Sequence, residues 1–134
     1  MPPKPSDGPN QGTMTDAVSG RLEQARALHQ QGQLAPAREI YQEILDRQPG
    51  HFDALNLMGV VSGQLRDLSV AVQCFDRAIA VQPDNSRPYC NRGLALKELG
   101  LLDAALSSFD QAIALKDDDA VAWYSRANIC RELG

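Results

Sequence analysis

The sequence predicts an all-α fold, a right-handed superhelix of stacked helix pairs, and three observations predict it. The first is recurrence at an offset of 34 residues: Gly59 returns as Gly93, Ala71 as Ala105, Phe75 as Phe109, and Ala78-Ile79-Ala80 as Ala112-Ile113-Ala114. The second is composition, since aromatics make up only 5% and no alternating apolar run marks a strand. The third is punctuation. Gly32, Pro49-Gly50, Pro83 and Gly100 fall between segments whose apolar residues keep helical spacing. A period of about 20–50 residues marks units that cannot bury their apolar faces alone and must stack.

Residues 1–15 are rich in proline and glycine and nearly devoid of apolar side chains, so they read as a flexible tail. Asp16 offers an N-cap, and Val18, Leu22, Ala25 and Leu28 define a first helix that stops at Gly32. A second helix starts near Leu34, with Pro36 in its first turn, and turns Ala37, Ile40, Tyr41, Ile44 and Leu45 inward. The next pair spans Phe52 to Gln64 and Leu68 to Val81, and the third Ser86 to Leu99 and Leu102 to Leu115. One additional helix begins at Ala120 and runs through Leu133. The chain thus divides into repeats at 18–51, 52–85 and 86–119 and a partial repeat at 120–134, together one domain over 16–134. Gly59, Gly93, Ala71 and Ala105 let backbones approach, and Phe75 and Phe109 fill the gaps beside them. Asp117-Asp118-Asp119 reads as a solvated turn whose acids favour the N-terminal dipole of the last helix.

The same residues resemble the tetratricopeptide repeat family, whose unit reads W-x2-L-G-x2-Y…A-x3-F…P. Ala37-x3-Tyr41…Pro49, Ala71-x3-Phe75…Pro83 and Ala105-x3-Phe109 match its second half. Its first half is looser, with Met58-Gly59, Arg92-Gly93 and Arg126-Ala127 where Leu-Gly is expected. The resemblance covers residues 18 to 134 and implies a solenoid whose concave groove, lined by the first helix of each pair, binds a protein partner.

Positions resembling the ligand-facing ones of the family are Asp53, Asn56, Val60 and Gln64, then Arg87, Cys90, Asn91, Leu94 and Lys97, then Val121, Tyr124, Asn128 and Arg131. Of the positions that clamp a C-terminal carboxylate in one family type, Asn91 alone is matched; Leu22, Leu57, Val60 and Ser125 hold others. Asn91, with Asn56 and Asn128 nearby, also resembles the asparagine ladder of repeats that precede glycosyltransferase domains. Three function classes follow: a non-enzymatic module that holds an extended segment or helix of a partner, the substrate-presenting N-terminal segment of a larger enzyme such as a glycosyltransferase, or a self-assembling scaffold. For the last, the register places Trp123, Ala127 and Cys130 where a helix equivalent to Leu102–Leu115 would pack, which leaves three outcomes: a homodimer through the C-terminal helix, a last helix that itself caps the stack, or one that frays.

No catalytic constellation is present: there is no Gly-rich phosphate loop, no G-x-S-x-G and no H-E-x-x-H, and no cofactor is expected. The net charge of −4 is spread along the chain, which speaks against nucleic acid. No stretch approaches the roughly 18 apolar residues of a membrane span, and no apolar N-terminal segment suggests export, which makes the cytoplasm the default. Cys74, Cys90 and Cys130 read as reduced thiols packed as small hydrophobes, and His29 and His51 lack neighbours at metal-ligand spacing.

Overall fold

Helix punctuation decides the architecture. In the computed structural model the backbone is described from Gly8 and the side chains from Ala17. Over these residues the chain forms α1 (Gly8–Gln30), α2 (Leu34–Arg47), α3 (Phe52–Gln64), α4 (Leu68–Val81), α5 (Ser86–Glu98), α6 (Leu102–Leu115) and α7 (Ala120–Leu133). Three helix pairs and one further helix match the expected all-α order. One boundary is corrected. α1 starts at Gly8, so Asp16 lies inside a helix and is not its cap. Pro9 sits in the first turn, where its missing N–H costs nothing, and no later proline interrupts the segment before Gln30. Of the expected tail, residues 1–7 lie outside the described part of the chain.

The recurrence in sequence is a recurrence in hydrogen bonds. The first helices of the later pairs are capped by three different side chains at one register position. His51 accepts from the Ala54 N–H, Asn85 from the Arg87 N–H, and Asp119 from the N–H groups of Val121 and Ala122. Each such cap stabilises its helix by about 1 kcal/mol. The turn inside each pair is also repeated. The N–H groups of Gln33, Asp67 and Leu101 reach back to the carbonyls of Leu28, Ser62 and Leu96 at 2.9, 2.8 and 2.9 Å. That closure demands a left-handed residue just past the helix. Gly32 and Gly100 supply it with φ of 81° each, but at the same position in the second repeat Arg66 supplies it with φ of 69°.

Packing between paired helices follows from size. A Cβ on Gly59 would stand 2.4 Å from the Phe75 ring, and one on Gly93 would stand 2.8 Å from the Phe109 ring. Both rings are buried, each close against its glycine, while Ala37, Ala71 and Ala105 are fully enclosed on the facing helices. The first repeat solves the same contact with Ala25 opposite Tyr41, whose hydroxyl lies 3.1 Å from His29 Nδ1.

Successive helices pack in chain order, and in addition α3 touches α5 and α5 touches α7. No comparable contact joins α2 to α4 or α4 to α6. The stack therefore curves towards the first helices of the pairs, which form its inner face. Arg92 ties this arrangement together: from α5 it donates to Asp76 on α4 at 2.9 Å and to Ser108 and Gln111 on α6 at 3.0 Å each. One period later Arg126 on α7 donates to Asp110 at 2.5 Å.

Candidate functional site

The inner face carries most of the expected groove residues on α3, α5 and α7. They are not equally available. Asn56 is only 2% exposed, and the Asn91 amide donates to its side-chain oxygen at 3.1 Å, linking α3 to α5. One amide is thus spent on holding the other, while Asn91 itself keeps a half-buried edge towards the groove. Leu57 and Ser125 hold the positions equivalent to Asn91, so the pair is a single rung and the asparagine ladder does not extend.

Cys90 is a correction. It is buried, in the core cluster that joins α5 to α6 and α7 through Ala105, Phe109, Ala122 and Ile129. Burial first, and then the Asp119 carboxylate, push its thiol up to about 12. It is a core residue that happens to fall on the groove register. Cys74 is buried as well, and desolvation raises its thiol pKa; only Cys130 is exposed. Asp53 stands 3.8 Å from Arg26 of the first repeat, and both are half exposed. Arg87 is exposed and lines the rim between the α4–α5 and α6–α7 turns.

Two depressions lie along the inner face. The first, of about 340 Å³, opens between α3, the start of α4, and α5. Its wall is apolar, built from Val60, Leu68, Phe75, Leu94 and Ala95, and Gly59 and Gly63 form its floor on α3. Asn91 and Gln64 bring amides to it, and Arg66 and Glu98 close its rim with a 2.9 Å ion pair. The second, also about 340 Å³, is polar and gathers Lys97, Asn128, Arg131 and Glu132, with Arg131 hydrogen-bonded to Asn128. Tyr124 is the most open of the exposed large hydrophobic side chains, at 69% exposure.

The expected self-association face is accessible. Trp123, Ala127 and Cys130 are all exposed on α7. Trp123 is nonetheless anchored: its indole N–H donates to the Asp117 carbonyl at 2.7 Å, repeating the 2.8 Å bond from the Tyr89 hydroxyl to the Pro83 carbonyl. Tyr89, beside α6, is 8% exposed, and Trp123 is 46% exposed.

Sequence reasoning missed Gly63, Arg66, Leu68 and Glu98. For Gly63 and Arg66 the signal was present in the 34-residue register, read for its departures instead of its agreements; Leu68, matched by Leu34 and Leu102, and Glu98, matched by Glu132, gave none. Among the described residues no group of three or more His, Cys, Asp or Glu side chains is placed to hold a metal ion, and no helix is long and apolar enough to cross a membrane.

A stack of helix pairs with Ala-x3-aromatic second helices and an inner face of first helices defines a repeat protein of the tetratricopeptide type. The family model for the tetratricopeptide repeat matches residues 22–86, 56–120 and 90–134, and the chain belongs to that family. Solved structures agree on the fold. The first TPR domain of human RPAP3 is 20% identical, with a TM-score of 0.83 over 87% of this chain and 91% of that one. The first TPR of Spaghetti (RPAP3), bound to the HSP90 peptide SRMEEVD, is 20% identical with a TM-score of 0.84, covering 87% of this chain and 92% of that one. The Yersinia enterocolitica type III secretion chaperone SycD, in complex with a peptide of the translocator YopD, is 13% identical with a TM-score of 0.83, covering 89% and 96%.

Proposed function

We propose that this chain is a peptide-binding interaction module that holds an extended segment of a protein partner along the inner face of α3, α5 and α7. The observation that carries the reading is the apolar pocket between α3 and α5, flanked by the Asn91 amide, with Tyr124 open on α7 of the same stack. An amide offers both a donor and an acceptor, which suits a peptide backbone, and an apolar recess beside it suits a side chain. Similar domains solved with peptides support the same use of the fold. Arg26 pairs with Asp53 and Arg66 with Glu98, and of the carboxylate-clamp positions Asn91 alone is matched, so a C-terminal carboxylate clamp has little to build on.

The test compares binding of a displayed random-peptide library to the wild-type chain and to Tyr124→Ala. Tyr124 has no packing role, so the variant keeps its melting temperature and loses groove affinity. Equal enrichment on both chains, with peptides mapping to the outer helices by amide exchange, defeats the reading.

A second reading, association of two copies through α7, rests on Trp123. Its equivalent in the third repeat is covered by a helix, whereas its own indole stays half open on a face shared with Ala127 and Cys130. The two readings use different faces of α7 and are compatible.

A further inference from the structure

The second repeat breaks the chain's own pattern twice, and both breaks fall on one pocket. At the position that carries His29, Lys97 and Arg131 in the other repeats, it has Gly63. Where the others have Gly32, Gly100 and Gly134 in the left-handed conformation, it has Arg66. Packing explains neither. A Cβ on Gly63 would meet nothing closer than the Ala71 Cβ at 3.8 Å, in contrast with Gly59 on the same helix, which has no room for one. Arg66 occupies a backbone conformation that glycine adopts without strain and a long side chain does not. A missing side chain that nothing internal requires, beside a strained residue that glycine could replace, marks a place shaped for something outside the fold.

We infer that this pocket is the specificity site of the groove, and that it takes one bulky uncharged apolar side chain, of leucine, methionine or phenylalanine size, from an extended partner peptide. The inference rests on the groove reading and narrows it. Its volume of about 340 Å³ is at the small end for ligand sites, which suits an anchor side chain and not a helix face. Val60, Leu68, Phe75 and Leu94 line it. At the rim Arg66 and Glu98 neutralise one another at 2.9 Å, so a charged anchor would lose its hydration and find no uncancelled partner. Asn91, tied to Asn56 through its N–H, keeps its oxygen for a backbone N–H of the peptide beside the anchor. In the third repeat Lys97 takes the place of Gly63, and the matching depression is polar.

The experiment selects displayed random twelve-residue peptides on the full chain. Synthetic winners are then measured by fluorescence polarisation against wild type, Gly63→Lys, Gly63→Ala and Tyr124→Ala. Gly63→Lys installs the residue that α5 already carries at the equivalent position, so the helix tolerates it. Winners are expected to share a bulky apolar residue. Gly63→Lys should weaken them about tenfold or more, and Gly63→Ala less, with both variants melting no lower than wild type. Truncating that residue to alanine in the peptide should abolish the difference between wild type and Gly63→Lys. Peptides that lose affinity with Tyr124→Ala yet bind Gly63→Lys unchanged, or that share a charged anchor, overturn the pocket assignment and leave the groove reading standing. If no peptide enriches over a blank surface, both fall.

Discussion

Two glycines four positions apart on α3 should respond to the same substitution with opposite signs. For Gly59→Ala the new methyl is placed 2.4 Å from one Phe75 ring carbon and 2.7 and 2.8 Å from two others. The ring is buried, so it cannot swing aside, and α3 and α4 must separate. Overpacking of this kind costs about 1–3 kcal/mol. Replacing a helical glycine with alanine returns about 0.5–1 kcal/mol through the unfolded chain, leaving a net loss of up to about 2.5 kcal/mol at Gly59. For Gly63→Ala the nearest atom is 3.8 Å away, an ordinary contact, so only the favourable backbone effect remains. That variant should gain about 0.5–1 kcal/mol. The glycine-to-alanine gain is common to both variants, so with roughly 4 °C per kcal/mol for a chain of this size thermal unfolding followed by circular dichroism separates them by about 4–12 °C. If both glycines shift the midpoint in the same direction, the account of why small residues recur at 34-residue intervals is wrong.

Four further outcomes are expected. Arg66→Gly removes a left-handed strain of about 1–2 kcal/mol and forfeits a solvent-exposed ion pair worth about 0–1 kcal/mol, so urea unfolding should show a net gain; a loss would mean that the pair with Glu98 outweighs the strain. The Ser62 hydroxyl is buried without a hydrogen-bond partner, and Ser62→Ala should therefore stabilise the chain by about 1 kcal/mol in the same assay, whereas destabilisation would point to a partner for that oxygen. Thiol titration with an aromatic disulfide at pH 8 should find Cys130 fast and Cys74 and Cys90 slow; because the folded Cys90 holds its proton to about 12 against an ordinary 9.0, stability is intact below pH 9 and falls as the pH rises from there towards 12. Light scattering in the micromolar range should give a molar mass above that of one chain for wild type and a single-chain mass for Trp123→Glu, and a wild-type monomer at every concentration would end the α7 association reading.

The fold was legible because the repeat writes it several times. Phe75 and Phe109 each named their glycine, and Gly32 and Gly100 named the turns. The start of α1 was not legible, because a segment containing Pro9, Gly12 and Thr13 has composition against it, and whether a helix runs through it depends on nucleation further along. The groove was half legible. Spacing put Asn56, Cys90 and Asn91 on one side of their helices, but it could not tell that Asn56 and Cys90 would be covered. Burial at the edge of a helix face is decided by its neighbours: for Cys90 they are the core residues of α6 and α7, Ala122 and Ile129 among them. The pocket was hidden for a related reason, since a cavity is made by what is missing, and Gly63 draws no notice in a search for side chains.

Arg92 has a consequence for how the chain comes apart. By reaching from α5 to Asp76 on one side and to Ser108 and Gln111 on the other, it makes the second and third repeats lose their contacts together. Arg126 repeats the first half of that bridge with Asp110. On the native-state amide-exchange timescale, α4, α5 and α6 should therefore open as one slow cooperative unit. The last helix, fastened by Arg126 and the Trp123 indole to one side alone, should breathe first, and a ligand spanning α5 and α7 would slow that breathing without altering the core.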